Sequence, residues 1–284
     1  MLYICLILRI LANPFSNLLQ KKLTTNGRSC LLVNFLTYFM LSLVCLIFVK
    51  NIDLLHLSKQ FWLYSFCGAF IGALGNACLI KSLQNGELSI LGPINSYKAI
   101  VSVFFAWFLL KETPSLIAIA GILFILLGSY FIFDTIGEKF SFHIFKRSDI
   151  QFRVLALFLT AIEAVFIKKI ILLSSVSIAF VMWCCLGAVF AFLYALPSIK
   201  RRLLELNLKD YFLVSLIAVL VGTMQLSTNY IFSKMNVSYA LALFQMSMLV
   251  NVFLGHKFFG ETKIVKKIIA TFVMIFGAIL IIIF

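Results

Sequence analysis

Residues 110–113, with the sequence Leu-Lys-Glu-Thr, recur in altered form at residues 259–262 as Phe-Gly-Glu-Thr. Each copy follows one long apolar stretch and opens another. In each copy the glutamate is followed 16 residues later by a glycine, Gly128 or Gly277, so one offset of 149 residues aligns both pairs without a gap. This correspondence indicates that the chain contains an internal duplication.

A second correspondence lies upstream of the first. Residues 20–23, Gln-Lys-Lys-Leu, end the first apolar stretch, and residues 167–170, Ile-Lys-Lys-Ile, interrupt the sixth at an offset of 147 residues. Because the two offsets differ by only two residues, an internal duplication is the best explanation of both.

The composition excludes a soluble protein. Of the 284 residues, 63% are hydrophobic and only 12% are charged, whereas an average soluble domain is about one quarter charged. The mean hydropathy is +1.11. The net charge of +14 does not indicate nucleic-acid binding, because the cations form short clusters between apolar stretches rather than one basic surface. We therefore expect an integral membrane protein whose basic residues flank the lipid bilayer.

A membrane-crossing helix needs about 20 mostly apolar residues. Windows of that size predict ten helices joined by short connections, near residues 2–20, 30–49, 61–80, 88–110, 115–133, 153–173, 177–197, 211–232, 238–258 and 265–284. A charged linker at 135–152 divides them into two groups. We therefore predict an all-α integral membrane fold of ten transmembrane helices, arranged as two inverted five-helix repeats in residues 1–134 and 153–284. An odd number of helices in each repeat forces this inversion, which is typical of secondary transporters.

The repeat arrangement and the Glu-Thr motif that ends helices four and nine resemble the drug/metabolite transporter superfamily, and within it the EamA-type permeases. Residues 128–130, Gly-Ser-Tyr, and residues 277–278, Gly-Ala, in helices five and ten fit the same pattern. Lys111 departs from it, since the family usually has a glycine there, as Gly260 provides in the second repeat. The resemblance implies transport of a small solute, and cargoes in this family include amino acids, nucleotide sugars, sugar phosphates, quaternary amines and drugs.

Two rules disagree about membrane orientation. The odd-numbered connections between the predicted helices, with Arg153 counted among them, hold 16 Lys and Arg residues, and the even-numbered connections hold 6. The positive-inside rule then places both termini outside, whereas characterised proteins of this kind usually keep both termini in the cytoplasm. The orientation is left open.

Three strongly ionisable residues lie inside predicted helices: Arg9, Lys98 and Glu163. Arg9 is close enough to one helix end for its guanidinium to reach the headgroup region. Two interpretations of the other two residues compete. In the first, Glu163 loads a proton or faces a cationic group of the cargo, while Lys98 faces an anionic group. In the second, they neutralise each other as a buried pair that joins the repeats.

Amide and aromatic side chains in the same helices extend this set. Asn95 shares a helix face with Lys98, as Gln225 does with Asn229. Such amides are either hydrogen-bond partners between helices or an uncharged recognition set in a cavity. The predicted substrate-binding residues are Lys98, Glu163, Asn95, Tyr97, Asn76, Gln225, Asn229, Gln245 and Trp183.

Four further residues have expected structural roles. Pro14 and Pro93 permit kinks in helices one and four. Glu112 and Glu261 lie where one helix ends and the next begins, so we expect their carboxylates to cap the dipoles of helices five and ten.

The favoured function is a secondary transporter, with export preferred, of small polar metabolites such as amino acids or related organic solutes. It would work by alternating access, either coupled to protons or as facilitated exchange. The alternative on the same fold is a flippase for a lipid or a lipid-linked headgroup. An enzyme is not expected, because the three histidines are scattered and no nucleophile or metal motif is present. We expect no cofactor, a bacterial cytoplasmic (inner) membrane location, and leave a homodimer open.

Overall fold

The computed structural model describes residues 1–49, 57–98, 100–101, 115–134, 146–235 and 237–283. Within these ranges the chain forms helices and no strands, which confirms the predicted all-α class. The helices are α1 (Leu2–Thr25), α2 (Cys30–Val49), α3 (Lys59–Asn85), α4 (Leu88–Leu91), α5 (Leu116–Asp134), α6 (Ser148–Leu173), α7 (Val176–Ala195), α8 (Ile199–Leu203), α9 (Leu208–Lys234), α10 (Val237–Phe244), α11 (Ser247–Phe259) and α12 (Ile264–Ile283).

Several of these helices are long and apolar enough to cross a membrane. Among the described residues five qualify, namely Leu2–Thr25, Lys59–Asn85, Val176–Ala195, Leu208–Lys234 and Ile264–Ile281. Two shorter apolar helices cover Cys30–Cys45 and Ile119–Ile132. Large apolar side chains such as Leu63 and Phe212 point outward and are more than half exposed, as expected of surfaces that contact lipid.

Two of the predicted helices are not continuous. The first is interrupted at Pro93, where a kink was expected, whereas the interruption of the second corrects the sequence prediction. Of the window at 88–110, residues 99 and 102–110 lie outside the described residues, but α4 already ends at Leu91 and a 3-10 turn follows at Pro93–Ser96. Proline lacks the N–H that would continue the helix. The window at 238–258 is interrupted between α10 and α11, where Met248 N–H donates to the Gln245 carbonyl at 2.9 Å. By contrast, α1 continues through Pro14.

The helices associate in a regular set of pairs. Helix α1 packs along α9, α3 along α6, α2 along α7, and α5 along α12. Glycines allow the closest approach in the last pair, because a Cβ added at Gly121 would lie 2.7 Å from the Gly277 carbonyl oxygen. The two helices therefore cross backbone against backbone at this point.

Buried apolar side chains form two clusters. The larger one joins helices α2, α3, α6, α7 and α9, and includes Phe61, Ile217 and Phe232. The second joins α4, α5 and α12, and includes Ile125 and Met274. Tyr38 and Trp183 belong to the larger cluster and also line a polar cavity, so this cluster supports one wall of the candidate site.

Candidate functional site

A polar cavity lies among helices α1, α2, α3, α6, α7, α9 and α10 and the chain at residues 95–98. Its volume, taken as the space open to the centres of water molecules, is about 110 Å³. Helix α1 lines it with polar side chains at positions 9, 13, 16, 17 and 20, which helical spacing places on one face. At 1.5 Å per residue this polar face is about 16 Å long.

Six of the nine residues predicted for the substrate site line this cavity. They come from α3, the Pro93–Ser96 turn and the chain just after it, α6, α7 and α9, and are Asn76, Asn95, Lys98, Glu163, Trp183 and Gln225. The fold therefore brings together polar groups that are far apart in the sequence. Their role in binding a substrate stays a prediction.

The other three predicted residues lie outside the cavity lining. Asn229 is completely buried and accepts a hydrogen bond from Gln225 Nε2 at 2.9 Å, so it supports a residue of the wall. Gln245 is only 1% exposed and sits at the break between α10 and α11. Tyr97 lines a separate apolar cavity against Val154 and other residues of α6.

The Glu163 carboxylate is held in place by aromatic side chains. Trp183 Nε1 donates to Glu163 Oε1 at 2.6 Å, and the Trp183 ring lies 4.7 Å, centroid to centroid, from that of Tyr38. The Tyr38 hydroxyl in turn accepts a hydrogen bond from Asn76 Nδ2 at 2.6 Å. Gly72 leaves room for the carboxylate, because a Cβ there would lie 2.0 Å from Glu163 Oε1.

Lys98 does not form the buried pair with Glu163 that was one of the two interpretations. Among the ion pairs between described residues, all with nitrogen and oxygen within 4 Å, none joins these two side chains. Lys98 interacts electrostatically with Arg153 and Arg9 as well as with Glu163. The cavity therefore holds a group of cations near one carboxylate rather than a neutral pair.

Two arginines line the cavity against expectation. Arg9 does not extend to the headgroup region; its Nε donates to Thr228 Oγ1 at 2.9 Å and its guanidinium lies 4.6 Å from the Phe244 ring centroid. Arg153 is not in a connection, because α6 begins at Ser148 and carries it inward. Its Nε donates to the Leu91 carbonyl oxygen at 2.8 Å, at the end of α4.

A buried hydrogen-bond network includes Lys21, which directly follows Gln20, the last residue of α1 that lines the cavity. Glu261 accepts hydrogen bonds from the backbone N–H groups of Leu88 and Ser89, at 2.7 and 2.9 Å, and from the Ser89 hydroxyl. Lys21 Nζ lies 3.2 Å from Glu261 Oε1 and donates to the Gly86 carbonyl at 2.8 Å. We call these residues, with Glu87 and Lys267, the Glu261 network.

The position of Glu261 corrects its predicted role. We expected it to cap α12, the helix that follows it, but its carboxylate caps the N-terminus of α4, which belongs to the other half of the chain. Lys267 on α12 completes the connection by donating to Glu87 at 2.5 Å and to Ser89 Oγ at 2.8 Å. Glu112, the corresponding residue of the first half, lies outside the described residues.

The Glu261 carboxylate is ionised more readily than an ordinary glutamate. Burial by itself disfavours its charge, but the hydrogen bonds from Ser89 and Leu88 and the Lys21 ammonium outweigh that cost and lower its pKa. The residues of the network thus favour a charged Glu261 at neutral pH.

The described part of the chain contains neither a metal-binding cluster nor a disulfide. No group of three His, Cys, Asp or Glu side chains there could hold a metal ion. All seven cysteines are free thiols, and none of them lines the cavity.

Comparison with known proteins assigns the chain to a family. A model of the EamA-like transporter family matches residues 2–134 and, separately, residues 148–283. The chain belongs to the EamA-like transporter family. As an EamA protein it is a multi-pass integral membrane protein of the drug/metabolite transporter superfamily, as the sequence resemblance predicted.

The fold of this EamA protein is shared with a solved structure. A chain described only as the crystal structure of a protein is similar over 98% of the EamA chain and 94% of its own length, with a TM-score of 0.66 and 16% sequence identity. This likeness concerns the fold alone. No curated protein matches the sequence.

Proposed function

We propose that this EamA protein is a secondary transporter that carries small polar metabolites across the membrane by alternating access. The observation that carries the proposal is the cavity: its wall is rich in charged and amide groups, although it lies among apolar helices. Charged and polar groups inside a membrane-spanning bundle are costly, and they are rarely kept there without a purpose. A binding site for a polar solute supplies that purpose.

We further propose that the chain crosses the membrane ten times as two inverted repeats, in residues 1–134 and 153–284. The separate matches of the family model to residues 2–134 and 148–283 support this. The helix pairing supports it too. The first helix of each half packs on the third helix of the other half, α1 on α9 and α6 on α3. The second helices of the two halves, α2 and α7, pack on each other, and so do the fifth, α5 and α12.

The Glu261 network is proposed to close one end of the transport pathway. It joins α1, the chain around α4, and the start of α12, and it buries both Lys21 and Glu261. Lys168, which corresponds to Lys21 in the second half, donates to the carbonyls of Phe232 and Met235 at the end of α9. In inverted repeats these two lysines lie at opposite ends, so access at the Lys21 end requires the Glu261 network to separate.

A water-soluble cargo is favoured over a lipid headgroup. Lys98 and Gln225 both line the cavity, and polar side chains surround it from α1, α2, α3, α6 and α9. Such a wall offers hydrogen bonds from several helices to a polar solute, as sites for small polar molecules do. Export, a bacterial cytoplasmic membrane and a homodimer stay predictions.

Counterflow into proteoliposomes tests the proposed function. Purified protein is reconstituted into vesicles preloaded with one compound of a panel that spans amino acids, phosphorylated sugars, carboxylates and amines, and uptake of the same labelled compound is followed. We expect at least one compound to accumulate transiently and saturably above protein-free vesicles. If a correctly folded, reconstituted protein carries no compound of the panel, the proposal is wrong.

A further inference from the structure

We propose that the cargo is a small organic dianion, a phosphate monoester or a dicarboxylate, whose negative charges are bound by Arg9, Lys98 and Arg153. The inference rests on the proposed transport function and adds to it the chemical class of the cargo. It comes from the balance of charge in the cavity and from the hydrogen-bonding capacity that its cations leave unused.

The cavity wall carries more positive than negative charge. Arg9, Lys98 and Arg153 line it, and among the described residues Glu163 is the one carboxylate that does. With all four groups ionised, three cations against one carboxylate leave a surplus of two positive charges. Because like charges repel strongly where water is scarce, this arrangement favours a bound species that brings two negative charges.

Elsewhere among the described residues, no carboxylate balances this surplus. Each of the other acidic side chains that the structure describes has a cationic partner of its own. These pairs are Lys267–Glu87, Arg147–Asp149, Arg202–Glu205, Arg28–Asp210 and Lys21–Glu261, with nitrogen to oxygen distances between 2.5 and 3.3 Å. None of these carboxylates lines the cavity.

The three cations keep donors unused. An arginine has five N–H donors, yet Arg9 contributes Nε to Thr228 while its Nη1 is buried with no hydrogen-bond partner. Arg153 contributes Nε to the Leu91 carbonyl. Nothing in the described chain accepts a hydrogen bond from Lys98. The oxygens of a phosphate or of carboxylates are acceptors that match such donors in charge and geometry.

The rest of the wall suits a small, hydroxylated skeleton. Asn34, Asn76 and Gln225 present amides to the cavity, and amides both donate to and accept from hydroxyl groups. The volume of about 110 Å³ holds several water molecules at about 10–15 Å³ each. A cargo of a few carbon atoms therefore fits better than a nucleotide or a drug.

Thermal unfolding of the purified full-length protein in detergent measures binding. The anionic probes are glycerol 3-phosphate and malate, and the control compounds are glycerol, serine and choline. We expect one or both anions to raise the melting temperature in a concentration-dependent way, while the neutral, zwitterionic and cationic compounds leave it unchanged. Stabilisation by glycerol 3-phosphate alone or by malate alone identifies which dianion is the cargo.

Matched substitutions localise the effect. Lys98→Gln and Arg153→Gln are each expected to weaken anion binding about 10- to 100-fold, because each removes a charged hydrogen-bond donor. Lys98→Arg keeps the charge and should retain binding. Lys209→Gln removes one exposed positive charge at the start of α9, away from the cavity, and should bind as the wild type does. Equal weakening by Lys98→Gln and Lys209→Gln would overturn the anion site.

The same probes in counterflow separate the two proposals. If the vesicles accumulate serine or choline but neither anion, the anion inference is wrong and the transport function stands. If both anions stabilise the protein through Lys98 but no compound accumulates, the anion site stands and the transport function is wrong.

Discussion

At the scale of single residues, the Glu163 carboxylate depends on the absence of a side chain at Gly72. The two residues face each other across the contact between α3 and α6, where Glu163 is 7% exposed. A Cβ at position 72 would lie 2.0 Å from Oε1 and 2.6 Å from Cδ of that carboxylate. Glycine therefore sets the position of the one carboxylate that lines the cavity in the described chain.

We expect Gly72→Ala to destabilise the protein by about 1–3 kcal/mol, the usual cost of forcing extra atoms into a packed interior. The carboxylate has to move and loses its hydrogen bond from Trp183. Gly222→Ala is the matched control, because its Cβ would meet only a terminal methyl of Leu41 within 3 Å, and that methyl can rotate away. Thermal or denaturant unfolding of both variants measures the difference.

A double-mutant cycle checks the cause. In a Glu163→Ala background the clash is absent, so Gly72→Ala should cost at least about 1 kcal/mol less than it does in the wild type. An equal cost in both backgrounds would show that the Gly72 position acts through something other than Glu163.

The sequence predicted the cavity residues unevenly. Lys98 and Glu163 were identifiable because charge in mid-helix is rare. Arg153 was missed because apolarity alone placed the start of its helix five residues too late, although Arg153, Thr160 and Glu163 are spaced i, i+7 and i+10 on one helical face. Arg9 was missed because proximity to a helix end does not reveal that Thr228 of a distant helix accepts its hydrogen bond.

At the scale of secondary-structure elements, the four-residue helix α4 is held by a residue of the other half of the chain. Its first N–H groups have no partners within the helix, and Glu261 accepts two of them. Gly260, with φ of 63°, ends α11 in the left-handed conformation that favours glycine and directs the chain to that position. Gly260 therefore turns the chain, and Glu261, the next residue, accepts the hydrogen bonds from the start of α4.

The stability supplied by Glu261 should depend on pH. Its pKa is lower in the folded protein than the ordinary 4.5, so the folded state binds fewer protons than the unfolded chain at pH values around and between the two pKa values. The stabilisation is complete at neutral pH and is lost as the pH falls through the lowered pKa. We expect Glu261→Gln to melt below the wild type at about pH 7, with a cost of about 3 kcal/mol, and the difference to shrink below pH 4.5.

The control for this experiment is Glu205→Gln. The Glu205 carboxylate pairs with Arg202 at 3.3 Å, but both side chains are about one-third exposed or more, so the substitution should change the melting temperature little at any pH. A difference between Glu261→Gln and the wild type that stays constant from about pH 7 to pH 3 would contradict the role given to the carboxylate.

Helix positions were predictable where apolarity is continuous. The windows at 2–20 and 177–197 correspond to α1 and α7 within a few residues. The break at Pro93 has a recognisable cause, but the break before Ser247 has neither proline nor glycine. It depends on packing that the sequence does not display, since Gln245 is almost completely buried there.

At the scale of the whole molecule, the four helix pairs relate one half of the chain to the other. The cavity draws residues from both halves, with Lys98 from the first and Glu163 from the second. The duplicated Lys-Lys and Glu-Thr motifs allowed two repeats to be predicted, because repetition is visible in the sequence. The contribution of Arg9 and Arg153 to the cavity was not predicted, because it depends on how the two halves meet.

A thiol placed in the cavity tests the central claim, that this cavity is the path of the cargo. Thr160 lines it and hydrogen-bonds only within its own helix, to the carbonyls of Ala156 and Leu157, so Thr160→Cys should fold normally. The seven native cysteines lie away from the cavity lining, and the wild type is the control. The measurement is counterflow uptake of a compound that the wild type carries, before and after treatment with a water-soluble thiol reagent. We expect uptake by Thr160→Cys to fall to the level of protein-free vesicles while the wild type is unaffected; undiminished uptake with the cysteine fully modified would contradict the account.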